Sequence, residues 1–309
     1  MIVKNDPLKI SRDKGLVSRM YFTWFLLGIL YAFFGLVLNA FGVQISFIIV
    51  IVLGMGLFQY YMSDRMILWS TKAKLISKEQ DPKLFEIVER LAKKADIPSP
   101  KVAVMESNVP NAFATGRNPK NSLVAVTTGI RQRLSDSELE AVIAHELGHV
   151  INGDMKVLAI ANFFVTFTSF LMQMFFWNML FGGMYGGNRR QNGGHIIVIY
   201  FITMVVYFIG QLLVLSLTRY REYGADHTGS LLCGKPEDLA SALEKISGTI
   251  SKIPTQDLRK VKTASAFMII PALSGNDVAK LLSTHPPVQD RVRKLRKLRQ
   301  EMNKIPRNF

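Results

Sequence analysis

The chain has 309 residues, a formal net charge of +15 and one cysteine, with a mean hydropathy of +0.20. One cysteine excludes an internal disulfide framework and a cysteine-rich metal site. The charge is unevenly spread: Met20 to Ser63, Val157 to Asn188 and Gln191 to Thr218 carry no Asp, Glu, Lys or Arg, which excludes an ordinary water-soluble domain and predicts an integral membrane protein with a polar domain. Basic flanks beside membrane spans account for the positive charge, and there is no nucleic-acid motif.

Residues 1–63 read as a basic N-terminus followed by a transmembrane hairpin, with spans at about 21–38 and 45–61 joined by residues 39–44. Tyr21, Trp24, Tyr60 and Tyr61 lie near the predicted span ends, where interface aromatics belong. The apolar run is too long for a cleavable signal peptide. Lys4, Lys9, Arg12, Lys14 and Arg19 precede the first span, and Arg65, Lys72, Lys74 and Lys78 follow the second. The positive-inside rule therefore puts the N-terminus and the domain after the hairpin in the cytoplasm.

Residues 64–155 form the first polar half. Pro82 to Asp96 predicts an amphipathic helix with Leu84, Ile87, Val88 and Leu91 on one face. Lys101 to Met105, Asn111 to Gly116 and Ser122 to Ile130 predict strands, the last two separated by the turn chemistry of residues 117–121. Ser135 and Glu138 then form a capping box, S-x-x-E, and Gly153 can close the ensuing helix in a left-handed conformation. Inside that helix lies H-E-x-x-H: His145, Glu146 and His149. Two imidazoles four residues apart share a helix face and can grip one cation, for which zinc is well suited. Glu146 stands beside them, where its carboxylate can take a proton from a water at the metal. The alternative is a helix holding two buried, hydrogen-bonded histidines.

Residues 156–217 read as a second hydrophobic hairpin, with spans at about 157–180 and 196–217 around the Gly-rich loop 182–194, which carries Arg189 and Arg190. With almost no linker after the metal helix, the site is expected near the membrane surface. Residues 218–309 form the second polar half, with helices at Pro236 to Ile250 and, strongly basic, at Val288 to Met302. The fold class is thus an α+β membrane protein, mainly helical, with four candidate transmembrane helices and a small sheet. Cys233 reads as a small buried apolar residue, and His195 and His227 as a loop and a helix-surface histidine.

A catalytic zinc needs a third protein ligand. The compact pattern with a third histidine fails, since Asn152 and Met155 stand at its remaining positions. Glu222 is the best candidate, directly after the fourth span and heading an E-x-x-x-D pair with Asp226; a surface ion pair with Arg219 or Arg221 is the alternative. If Glu222 binds metal, Asp226 sits one turn on and could accept the free N–H of a ligand histidine.

The chain resembles the HtpX-type membrane zinc metalloproteases, gluzincins related to the CAAX prenyl proteases, through NAFATG at 111–116, HELGH at 145–149, TRYREYGAD at 218–226 and STHPPVQDR at 283–291. The resemblance covers nearly the whole chain; Thr218 stands where many relatives have Ser. It implies a zincin-like protease domain holding one zinc ion per chain, with Glu222 as third ligand. It also implies that His285 and Arg291 stabilise the oxyanion, and that Asn111, Ala112, Phe113, Ala114 and Thr115 bind an extended substrate by strand addition. The partners it implies are the lipid bilayer and polypeptide substrates drawn from misfolded or membrane-associated proteins at the cytoplasmic face of the cell membrane. Two rival readings are a CAAX-type prenyl-protein processing enzyme and a non-catalytic scaffold with a structural zinc, whose fourth ligand would be Asp226 or His285.

Overall fold

The computed structural model describes residues 14–181, 189–252 and 285–304. It divides into two compact units.

One unit is helical and comprises Ser18–Met62 and Val157–Leu217. It draws on α1 (Lys14–Ala40), α2 (Ile45–Thr71), and parts of two longer helices, Asp154–Phe181 and Arg189–Cys233. Phe34, Leu38, Phe163, Phe167, Leu171 and Phe175 pack into one internal cluster, and Leu27, Ala161, Val165, Val214 and Leu217 into another. Large apolar side chains also point outward, among them Phe25, Phe33, Trp177 and Phe208. Helices apolar inside and out suit hydrocarbon surroundings. Thr168 and Thr203 return their hydroxyls to the carbonyls of Phe164 and Ile199, each at 2.7 Å, so neither is left unsatisfied.

The sequence predicts four spans; among the described residues three helices are long and apolar enough to cross a membrane: Gly15–Ala40, Asp154–Phe181 and Gly194–Cys233. The second predicted span falls in α2, whose apolar stretch among the described residues is Ile48–Phe58. Residues 182–188 of the expected Gly-rich loop lie outside the described residues, and from Arg189 onward the chain is helix.

The other unit is mixed. Its sheet holds β1 (Lys74–Leu75), β2 (Lys101–Met105), β3 (Ala112–Gly116) and β4 (Ser122–Thr127) in the order β1-β2-β4-β3. β2 runs parallel to β4, and β3 antiparallel to it, with Ala112 opposite Val126. Alternation sorts the side chains: Val102, Val124 and Val126 join the main core, while Ala103, Phe113, Leu123 and Ala125 cluster on the other face. The predicted strand over 122–130 stops early because Thr127 turns its hydroxyl to the Ile130 N–H and caps α4 (Thr128–Arg133).

Helix α5 (Asp136–Asn152) packs on β3 and β4 and against α3 (Pro82–Lys94); α8 (Pro236–Ile250) packs on α5, and α9 (Val288–Lys304) on α8. α6 and α7 are the long helices Asp154–Phe181 and Arg189–Cys233. α5 begins with the expected box: the Ser135 N–H donates to Glu138 Oε2, and the Glu138 N–H to Ser135 Oγ. Its end is Gly153, at φ 73°. Glu138 also reaches Ser241 and Lys245 on α8. Burial works against its charged form, yet these donors hold its carboxyl down at about 2.

Candidate metal centre

α5 and α7 cross with their backbones in contact. A Cβ at Gly148 would stand 2.9 Å from the Ala225 carbonyl oxygen, and one at Gly229 would stand 2.7 Å from the Ala144 oxygen and from His145 Cα. Only glycine at both positions lets the helices approach this closely. The crossing brings the face of α7 that carries Glu222 and Asp226 against the face of α5 that carries His145 and His149. All four side chains are buried.

Ligand atoms of His145, His149 and Glu222 lie within 4.8 Å of one another. Both histidines turn Nε2 toward Glu222, His145 at 3.7 Å from Oε2 and His149 at 3.5 Å from Oε1. Both turn Nδ1 toward an aspartate: His145 lies 3.0 Å from Asp226 Oδ1, and His149 2.7 Å from Asp154 Oδ2. Nδ1 held by a carboxylate leaves the Nε2 lone pair for a metal. Glu222 Oε2 is buried with no hydrogen-bond donor aligned on it. Two imidazole nitrogens and a buried carboxylate fit a divalent metal ion. Without a metal, the aspartate and Glu222 outweigh burial and raise the His149 imidazolium pKa to about 10.

Glu146 lies 4 % exposed beside this group. Its Oε2 accepts the Ala114 N–H at 2.8 Å. The Asn111 carbonyl accepts the Thr127 N–H, so alternation along the antiparallel pair turns residues 113 and 115 toward β4 and 112, 114 and 116 to the free edge. The edge thus presents Ala114 to Glu146. Burial pushes the Glu146 carboxyl up, the two histidines and Ala114 pull it back, and Glu222 adds to the rise. Of the stretch expected to bind substrate, Asn111, Ala112, Phe113 and Thr115 are buried, and Ala114 is half-buried.

His285 and Arg291 also arrive at this centre. His285 Nδ1 and Arg291 Nη1 each lie 3.2 Å from Glu222 Oε2. Arg291 is 1 % exposed and grips Asp226 with two bonds, Nε to Oδ2 at 2.9 Å and Nη2 to Oδ1 at 2.7 Å. Its neighbour Asp290 pairs with Arg293 instead. Residues 283 and 284 of the same motif lie outside the described residues. His195 and His227 are not in the donor group. Sequence reasoning missed two residues. Asp154, 1 % exposed, holds His149, and Arg221, also buried, places Nε 3.5 Å from Asp154 Oδ2. An acidic residue directly after the helix-ending Asn-Gly was the available signal for the first. The second had none, because its partner is 67 positions away.

The sequence profile described as peptidase family M48 matches residues 78–299. "Protease HtpX homolog" of Moorella thermoacetica is 50% identical over 295 residues, covering 95% of this chain and 98% of its own length. "Protease HtpX homolog 2" of Methanosarcina mazei is 46% identical over 298 residues, covering 96% and 99%. Among solved structures, the crystal structure of S. mikatae Ste24p is similar over 92% of this chain and 67% of that one, with a TM-score of 0.56 at 17% identity, a likeness of fold.

Proposed function

Because this chain belongs to peptidase family M48 and is an integral-membrane metallopeptidase acting on polypeptides, we propose that its metal is zinc and that it cleaves internal peptide bonds of misfolded or membrane-associated proteins at the cytoplasmic face of the cell membrane. The observation that carries the reading is the buried group of His145, His149 and Glu222 with Glu146 beside it. The charge distribution around residues 1–78 supports the cytoplasmic orientation.

In this reading His145, His149 and Glu222 hold one zinc ion per chain. Zinc supplies Lewis acidity to a substrate carbonyl and to a water. Glu146, oriented by the Ala114 N–H, takes the proton of the attacking water and returns it to the leaving amine. Its raised pKa suits a base that must also give the proton back. His285 would donate to the oxygen that gains charge. Arg291, committed to Asp226 and Glu222, contributes by fixing those carboxylates and by its positive field. Asp226 orients His145. An extended substrate would add as a strand along the β3 edge at Ala112 and Gly116, leaving the Ala114 N–H to Glu146.

The test pairs metal content with cleavage of an unfolded protein such as casein, in detergent, for wild type and Glu146→Gln. Both should hold one zinc, and the variant should lose about 10²–10⁴-fold in rate. Zinc in both with cleavage in neither would favour a scaffold. Cleavage of a farnesylated C-terminal peptide, but not of casein, would favour prenyl-protein processing.

A further inference from the structure

The two histidines are supported in parallel, and only one support was expected. His145 Nδ1 faces Asp226, which Arg291 grips. His149 Nδ1 faces Asp154, beside which stands Arg221. Each chain of groups runs imidazole, carboxylate, guanidinium, and all six side chains are buried. A carboxylate buried this deeply is costly unless it is paired. Asp154 spends its charge on His149 at 2.7 Å and on the Arg221 cation at 3.5 Å. The local chain makes this possible: Gly153 reverses direction at φ 73°, which returns Asp154 beneath the last turn of α5. Arg221 precedes Glu222 on α7. Asp154 and Arg221 therefore join the segment after the second histidine to the residue before the third donor.

We infer that Asp154 and Arg221 are positioning residues of the metal centre. Asp154 fixes the His149 tautomer with Nε2 free and raises its donor strength, and Arg221 helps hold Asp154 in place. The inference rests on reading His149 as a metal ligand. The two supports are unequal: Arg291 makes two hydrogen bonds to Asp226, whereas Arg221 Nε stands beside Asp154 outside hydrogen-bond geometry. The His149 support should accordingly depend more on its aspartate than on its arginine.

The experiment uses the full chain in detergent, stripped of metal and titrated with zinc against a competing chelator. Cobalt(II) absorption spectra and melting of the metal-free protein are recorded for each variant. Asp154→Asn should weaken zinc binding about 10–100-fold, shift the cobalt bands and also lower metal-free melting, because the buried His149–Asp154 pair is lost. Arg221→Gln should weaken binding less, and Arg221→Lys should recover most of that loss. Wild-type zinc affinity and cobalt bands in Asp154→Asn would overturn the inference. So would weakened zinc binding with unshifted cobalt bands in that variant, which would make Asp154 a folding residue only. Glu222→Gln separates the two levels of the reading. If it loses zinc while Asp154→Asn does not, only this inference fails. If neither loses zinc, the ligand assignment fails with it.

Discussion

A metal held by His149 would compete with a proton there. Asp154 and Glu222 keep that imidazole protonated up to about pH 10 when no metal is bound, so binding must expel the proton across the whole neutral range. The sign follows: acid favours the protonated, metal-free form. Apparent zinc affinity should fall about tenfold for each unit of acidification between pH 8 and 6. An unsupported histidine, with its ordinary value near 6.5, would show almost no slope above pH 7. Competition with a pH-insensitive chelator measures it. At this scale H-E-x-x-H was legible because its spacing is local, as was Asp226, one turn from Glu222. Asp154 was half-legible, lying five positions from its histidine beyond a glycine that reverses the chain. The hold of Arg291 on Asp226 was not legible, since it links side chains 65 positions apart. Its neighbour Asp290 offered the simpler partner and pairs elsewhere.

Between elements, the crossing of α5 and α7 sets the geometry of the centre. Gly148→Ala would put a methyl 2.9 Å from the Ala225 carbonyl oxygen. The helices must separate, at a cost of about 1–3 kcal/mol for such overpacking, and Glu222 retreats from both histidines. The variant should melt lower and hold less zinc, whereas Gly153→Ala, strained by its positive φ but with open space around it, should lose stability with a smaller loss of zinc. Melting and metal content measured on the same preparations distinguish them. α5 was readable end to end from Ser135, Glu138 and Gly153, because caps are local hydrogen bonds. β1 was missed: two residues, Lys74 and Leu75, carry no alternation to detect. α4 was absorbed into a strand because Thr127 and Thr128 favour strands by composition, while the Thr127 cap that ends β4 depends on backbone position.

At the scale of the molecule, the candidate ligands come from two segments separated by 73 positions, His149 to Glu222. A metal joining them closes a long loop and binds only the folded state, so its removal should lower stability. With zinc at a hundred times its dissociation constant the difference is about 2.7 kcal/mol. Wild type should melt several degrees lower in detergent after chelation, and Glu222→Gln should show almost no such change. The membrane class was legible from charge-free runs alone. The number of spans was not, because a window of apolar residues shows total length but not how much apolar helix lies on each side of a turn. Four were expected where three helices qualify among the described residues.

The bond from the Ala114 N–H to Glu146 also bears on how this enzyme could be inhibited. A peptide mimic that offers a carbonyl to that N–H must first evict an internal carboxylate, and it frees the base as it docks. Part of its binding energy is then lost to the exchange. A compound that carries a metal-binding group and leaves the 114 position untouched avoids that competition. Pharmacophores for this site are therefore better drawn around the metal and His285 than around full strand pairing with β3.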